Sequence, residues 1–180
     1  MKDIKVKEVM IPISNYVAVN KESSLIDVLR ALESDRSEKQ HAHRDAIVID
    51  DNGELIGKIT MIDIFRSLEP NYKNINMEQT GGVLTREFVM KSVKDFNLWM
   101  EPLQDLCQRG ALLKVTDVMH TPKKVEYIDE NETLEKALNQ YVMGVHQPLI
   151  VKHGDKVTGI LRFGDLFEIV RERLLACAVV

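Results

Sequence analysis

The sequence predicts an α+β fold made of two related repeats with a helical segment inserted between them. Three observations carry this. A five-residue lead-in appears twice, the apolar runs that follow each copy alternate between strand-like and helix-like lengths in the same order, and the stretch between the copies has apolar residues spaced by three and four. The chain has 180 residues, of which 44% are hydrophobic, enough to bury a core without disulfide staples.

The elements follow in order. VKEVM at 6–10 aligns with VTDVM at 115–119, matching Val6, Val9 and Met10 to Val115, Val118 and Met119 at an offset of 109 residues. A first strand is expected at YVAV, 16–19, and at VEYI, 125–128. SLIDVLRAL, 24–32, and TLEKALNQY, 133–141, each open on a hydroxyl residue fit to cap a helix. Beyond them the offset falls to 102, so the first copy holds about seven more residues, within the charged stretch ESDRSEKQHAHRD, where a surface loop accepts them. The strands resume as AIVID and PLIVK, turn at DDNGE and KHGDK, and return as LIGKIT and VTGILR before a last helix. Each copy is therefore βαββα behind a lead-in. The boundaries are 1–69 for the first repeat, 70–112 for the helical insertion and 113–180 for the second repeat.

A half of about 60 residues buries too little surface to stand alone, so the two copies are expected to share a core about an intramolecular pseudo-twofold. That arrangement makes two clefts between the halves, where ligands commonly settle. In the insertion, Val89, Val93, Phe96, Met100, Leu103 and Cys107 fall on one helical face, with Pro102 ending one helix and opening the next and Gly110 terminating it. The face either packs on its own module or, with Trp99 beside Phe96 and Met100, offers a dimer or partner surface.

A net charge of −4 and a pI near 5.8 speak against nucleic acid as a partner. Cys107 and Cys177 form no CxxC pair and read as ordinary thiols. The amino terminus lacks the apolar core of a signal peptide, and no stretch approaches the roughly 20 apolar residues of a membrane span; a soluble cytoplasmic protein that does not enter the membrane is expected. His41 and His43 in HAHR could share an ion but have no further ligand at a recognisable spacing, so no metal is assigned and an insertion loop is the reading. His120 and His153, at a turn and a hairpin, are expected to face solvent. There is no GxSxG, P-loop or HExxH, and the chain is not read as an enzyme. Asp63 and Asp165 do not make a catalytic carboxylate pair, because pseudo-symmetry would put them in different clefts.

The chemistry concentrates where the last strand of each copy runs into its helix, GKITMIDIF at 57–65 and GILRFGDLF at 159–167. Thr60 as N-cap with Asp63 at N3 is close to a capping box, which needs no ligand. The second copy keeps the aspartate and loses the cap, since Arg162 cannot accept a hydrogen bond. A carboxylate near a helix start can also bind the two hydroxyls of a ribose, while free amides and the helix dipole favour phosphate nearby. That geometry suits a nucleotide.

The two copies resemble a tandem pair of CBS domains, the Bateman module, with the Val-x-Asp/Glu-Val-Met lead-in twice and the Gly-x-x-Thr/Ser-x-x-Asp signature as GKITMID. The resemblance covers residues 4–69 and 113–173. It implies adenine nucleotides (AMP, ADP, ATP or S-adenosyl compounds) as regulatory ligands and no cofactor. Asp63 and Thr60 would hold ribose and phosphate in one cleft and Asp165 ribose in the other. Tyr16, Val17 and Val19 would line the first adenine pocket. Glu126 and Tyr127 make the second less typical, and Arg162 replaces its signature hydroxyl. Arg44 and His146, just before the second strand of each copy, are the phosphate candidates. Arg162 could clamp a phosphate or pair with a carboxylate such as Glu126. The resemblance further implies a stand-alone regulatory homodimer that turns occupancy into a conformational change and acts on a protein target of unknown identity. The alternative is a ligand-free CBS scaffold that binds a partner through the central helices. Of the two clefts, that of Thr60 and Asp63 is expected to bind better.

Overall fold

The structure, a computed structural model, describes residues 3–38, 44–75, 85–100 and 102–177. His41 and His43 lie outside the described residues. In chain order the regular elements are β1 (Ile11–Pro12), β2 (Ala18–Asn20), α1 (Leu25–Glu38), β3 (Ala46–Ile49), β4 (Leu55–Ile59), α2 (Met61–Leu68), α3 (Arg86–Asp95), α4 (Leu103–Leu112), α5 (Val115–Val118), β5 (Tyr127–Asp129), α6 (Leu134–Val142), β6 (Leu149–His153), β7 (Lys156–Leu161) and α7 (Phe163–Cys177). The fold is α+β, with each repeat supplying the βαββα order.

The chain divides into two compact units, residues 19–120 and residues 1–18 with 121–180. These units cut across the sequence copies, because each lead-in folds onto the strands of the other copy. In the 19–120 unit, a three-stranded sheet runs β2-β3-β4, with β3 and β4 antiparallel. The second lead-in joins it. Val115 donates its amide to the Ser23 carbonyl at 2.9 Å, Leu25 donates to Leu113 at 2.9 Å, and Lys58 and His120 exchange backbone hydrogen bonds at 3.0 and 2.8 Å. In the other unit a four-stranded sheet runs β1-β7-β6-β5, antiparallel except for the parallel β5–β6 pair. There the first lead-in buries Val6 in a core with Leu134, Tyr141, Leu149, Leu161 and Leu166, and β1 pairs Ile11 with Ile160.

The exchange accounts for the glycine of each junction. A Cβ on Gly57 would lie 2.6 Å from the Met119 sulfur. One on Gly159 would lie 2.6 Å from the Ile11 carbonyl oxygen and 2.7 Å from the Met10 sulfur. The methionine of each lead-in lies across the strand of the other copy, and only glycine lets the backbone approach so closely.

Three local expectations are corrected. The first strand of each copy starts at Ala18 and Tyr127, two residues later than its pattern suggested: in the second copy a 3₁₀ turn over Lys124–Glu126 takes both positions, and in the first a turn over Ile13–Asn15 ends just before Tyr16 and the strand begins two residues on. The face from Val89 to Cys107 is not continuous. The helix α3 stops at Asp95, Asn97 and Trp99 take left-handed backbone angles (φ 49° and 59°), and α4 restarts after Pro102. Gly110 does not terminate α4. It is buried inside the helix, where a Cβ would lie 3.2 Å from Leu68, so its role is close approach to α2 rather than a stop.

The insertion docks on the carboxyl-terminal end of α2. Buried Glu69 accepts from the amides of Asn71 at 3.1 Å and Trp99 at 2.8 Å, and the Asn71 side chain donates to the Phe96 carbonyl at 3.1 Å. The Trp99 indole stands edge-on to Phe65 and Tyr72 and donates to the Tyr72 hydroxyl at 2.9 Å. Arg109 of α4 donates to the Leu68 carbonyl. The bonds to the Asn71 amide and the Leu68 carbonyl satisfy backbone groups of the turn and of α2, and those to the Trp99 amide and the Phe96 carbonyl do the same for the insertion.

Candidate functional site

At the first junction, β4 ends on buried Ile59 and the backbone of Thr60 is extended (φ −111°, ψ 168°) before α2 begins. The Thr60 hydroxyl accepts from the Asp63 amide at 3.4 Å, and Asp63 Oδ2 accepts from the Thr60 amide at 2.9 Å and hydroxyl at 2.6 Å. A capping box alone produces this pattern, for Ser24 and Asp27 repeat it at the start of α1 with bonds of 3.0, 2.6 and 3.2 Å. Burial is the difference. Asp27 stands in solvent, its carboxyl held below the usual range by the Ser24 hydroxyl and amide. Asp63 is only 7% exposed, and it lines a pocket.

That pocket, about 610 Å³, lies within the 19–120 unit, between α2, the turn after it, α3 and the end of the second lead-in. The volume is in the range of small-molecule sites. Asp63, Arg66 and Ser67 face it from successive turns of α2, while Tyr72, Phe88 and Val93 supply much of the apolar wall. His120 lines it too, half-buried and tied to Lys58 through the backbone, and so does not simply face solvent as its turn position suggested. His153 does stand in solvent, its Nδ1 3.0 Å from Glu130.

At the second junction Arg162 lies where the cap was, and its guanidinium forks onto Asp165, Nε to Oδ2 at 2.8 Å and Nη2 to Oδ1 at 2.6 Å. Both carboxylate oxygens are engaged by a cation, whereas Thr60 meets Asp63 with a neutral hydroxyl and amide. Arg162 is thus paired with the aspartate of its own junction. Glu126 is buried and accepts the Lys123 amide at 3.1 Å, which makes it the closing residue of the 3₁₀ turn.

The remaining candidates distribute between the units. Val19 is buried on β2, and Arg44 is exposed just ahead of β3. In the other unit, Tyr16 is buried, Val17 and His146 are half-buried, and the Tyr127 ring carries the Lys152 ammonium 4.4 Å from its centroid. Burial, and after it the Glu126 carboxylate, pushes the Tyr127 phenol above its ordinary pKa. The structure thus brings Thr60 to Asp63 and Arg162 to Asp165. The pocket residues Arg66, Tyr72, Phe88 and His120 were missed as site residues; the apolar spacing in α3 was visible but reads equally well as packing.

Among the described residues no helix is long and apolar enough to cross a membrane. No curated protein matches the sequence. Among solved structures, CBSX2 of Arabidopsis thaliana, in a complex with AMP, is similar at 22% identity and a TM-score of 0.60, covering 93% of this chain and 97% of that one. The CBS domain of a bacterial CNNM/CorC family Mg2+ transporter, in complex with ATP, matches at 18% identity and a TM-score of 0.57, covering 93% and 87%. A putative acetoin utilization protein, AcuB, from Vibrio cholerae matches at 16% and 0.59, covering 98% and 97%. At these identities the likeness is one of fold. The CBS domain family model matches residues 6–70 and again 115–172, the two stretches that hold the repeated lead-ins and the two junctions: the chain belongs to the CBS domain family, as a tandem pair.

Proposed function

We propose that the chain is a non-catalytic, cytoplasmic regulatory module that binds an adenine nucleotide at the Thr60–Asp63 junction and passes occupancy on as a change of conformation. One observation carries the reading: a buried carboxylate at the third position of α2 lines a pocket of small-molecule size. Asp63 would take the ribose hydroxyls as hydrogen-bond donors, and the amide-rich start of α2 favours a phosphate nearby. The AMP and ATP bound by the two similar structures supply the ligand class. The Arg162–Asp165 junction is the weaker site, because a hydroxyl there must displace a bidentate, charge-assisted pair. Arg44 and His146 remain phosphate candidates, with Tyr16, Val17, Val19 and Tyr127 as candidate walls.

Occupancy shifts a conformational balance only if the ligand prefers one state. The module is read as a homodimer because α2 leaves Met61, Ile62 and Phe65 in solvent and α7 leaves Phe167 and Leu174 there, apolar surface of the sort that an oligomer covers. A monomer mass by light scattering would remove this part of the proposal.

Calorimetry with AMP, ADP and ATP tests the site. Asp63→Ala should abolish measurable binding, and Asp165→Ala should leave it within about twofold, a loss of less than 0.5 kcal/mol. Equal losses would sink the ranking. A second reading, a ligand-free scaffold, has the 74% exposure of Met100 on the insertion in its favour. It gains if none of the three nucleotides at millimolar concentration moves the melting temperature of the wild-type chain.

A further inference from the structure

The insertion has no counterpart in the repeat, yet one of its helices lines the same pocket as Asp63. Val89 and Val93, one turn apart on α3, line the cavity while 42% and 40% exposed, so this apolar face is turned to the cavity without being covered. Beside them Phe88 and Tyr72 present aromatic rings. Opposite, Arg66 lies one helical turn from Asp63 and lines the same space. A hydroxyl-binding carboxylate, a cation one turn along and an aromatic and aliphatic wall are three chemistries that ribose, phosphate and a planar base each require.

Resting on the adenine-nucleotide reading of Asp63, we propose that the inserted helix α3 forms the base-side wall of that nucleotide site, with Arg66 facing the phosphate. The site is then peculiar to the first junction, and the insertion is its reporter. Tyr72 lines the pocket and its hydroxyl is held by Trp99, the chain's single tryptophan, so a base laid on Tyr72 changes the surroundings of one fluorophore. The left-handed turn carrying Trp99 is clamped by Glu69 at the far end of α2 from Asp63, which joins the ligand end of that helix to the insertion.

The test uses the full chain with AMP and adenosine, followed by calorimetry and by Trp99 emission. AMP should shift the emission of the wild type, and Val93→Asp, at a half-exposed position, should weaken AMP at least about tenfold without lowering the melting temperature. Val89→Phe, which narrows the pocket with an apolar group, should weaken it as well and stands in if Val93→Asp folds poorly. Arg66→Ala should bring AMP down to the affinity of adenosine. If AMP binds the wild type and is lost in Asp63→Ala but binds Val93→Asp and Val89→Phe within about twofold, α3 is not the wall and the nucleotide reading survives alone. If neither AMP nor adenosine binds the wild type at millimolar concentration, both fall.

Discussion

The two junctions solve one backbone problem with different chemistry. In each, a strand passes beneath a methionine of the other copy's lead-in, then turns into a helix whose third residue is aspartate. The first closes the turn with a neutral hydroxyl and leaves the carboxylate buried beside a pocket. The second closes it with a guanidinium that occupies both carboxylate oxygens. A repeated helix start is thus a structural inheritance, and the residue three positions before the aspartate sets the partner that its carboxylate meets there.

The largest difference between the copies should lie in the glycines. Gly159→Ala drives a methyl group into the Ile11 carbonyl, a backbone atom fixed by the β1–β7 pairing, and should cost about 3 kcal/mol of stability by urea denaturation. Gly57→Ala meets only the flexible Met119 side chain and should cost about 1 kcal/mol. Equal costs would mean that the strand at Gly159 gives way as easily as a thioether, and the close approach would no longer explain the residue.

Exchanging the caps should move binding more than stability. Thr60→Arg places a cation on Asp63 and should weaken AMP at least about tenfold, or 1.4 kcal/mol. Arg162→Thr restores a cap at α7 while removing an ion pair, so stability should change by less than about 1 kcal/mol. Calorimetry should then detect a second AMP equivalent. A second equivalent already present in the wild type would contradict the inequality of the sites.

The repeat, the order of its elements and the two junctions were legible in the sequence because they depend on local signals: apolar period, hydroxyl caps and glycine turns. Contacts fixed only by tertiary packing were not. That Gly110 sits against Leu68, or that Glu69 reaches back to hold Trp99, has no signature at either residue. The lead-ins were visible as motifs, but not their exchange between copies, since Met10 and Met119 read as ordinary apolar residues until the glycines beneath them are seen. The candidate site was half legible: Thr60 and Asp63 stand in a recognisable spacing, while Tyr72 and Phe88 enter the pocket from a segment whose pattern says only helix.

The smallest expected difference is one of acid sensitivity, at the first helix of each copy. α1 begins with Ser24 and Asp27, whose carboxyl is held low by the Ser24 hydroxyl and amide. At the equivalent place in α6, Thr133 caps the amide of Lys136, so a lysine stands where the aspartate was. A carboxyl whose pKa is lower folded than unfolded adds stability above its unfolded value, near 3.9, and loses it as pH falls through the folded value. Asp27→Asn should therefore lower the melting temperature slightly at neutral pH, and the gap to the wild type should close below about pH 4. Lys136→Asp should install the same dependence in α6, with a carboxylate able to accept the Thr133 amide. If the Asp27→Asn gap were unchanged between neutral pH and pH 3, the Ser24 bonds would not be favouring the charged form, and the two helix starts would be equivalent after all.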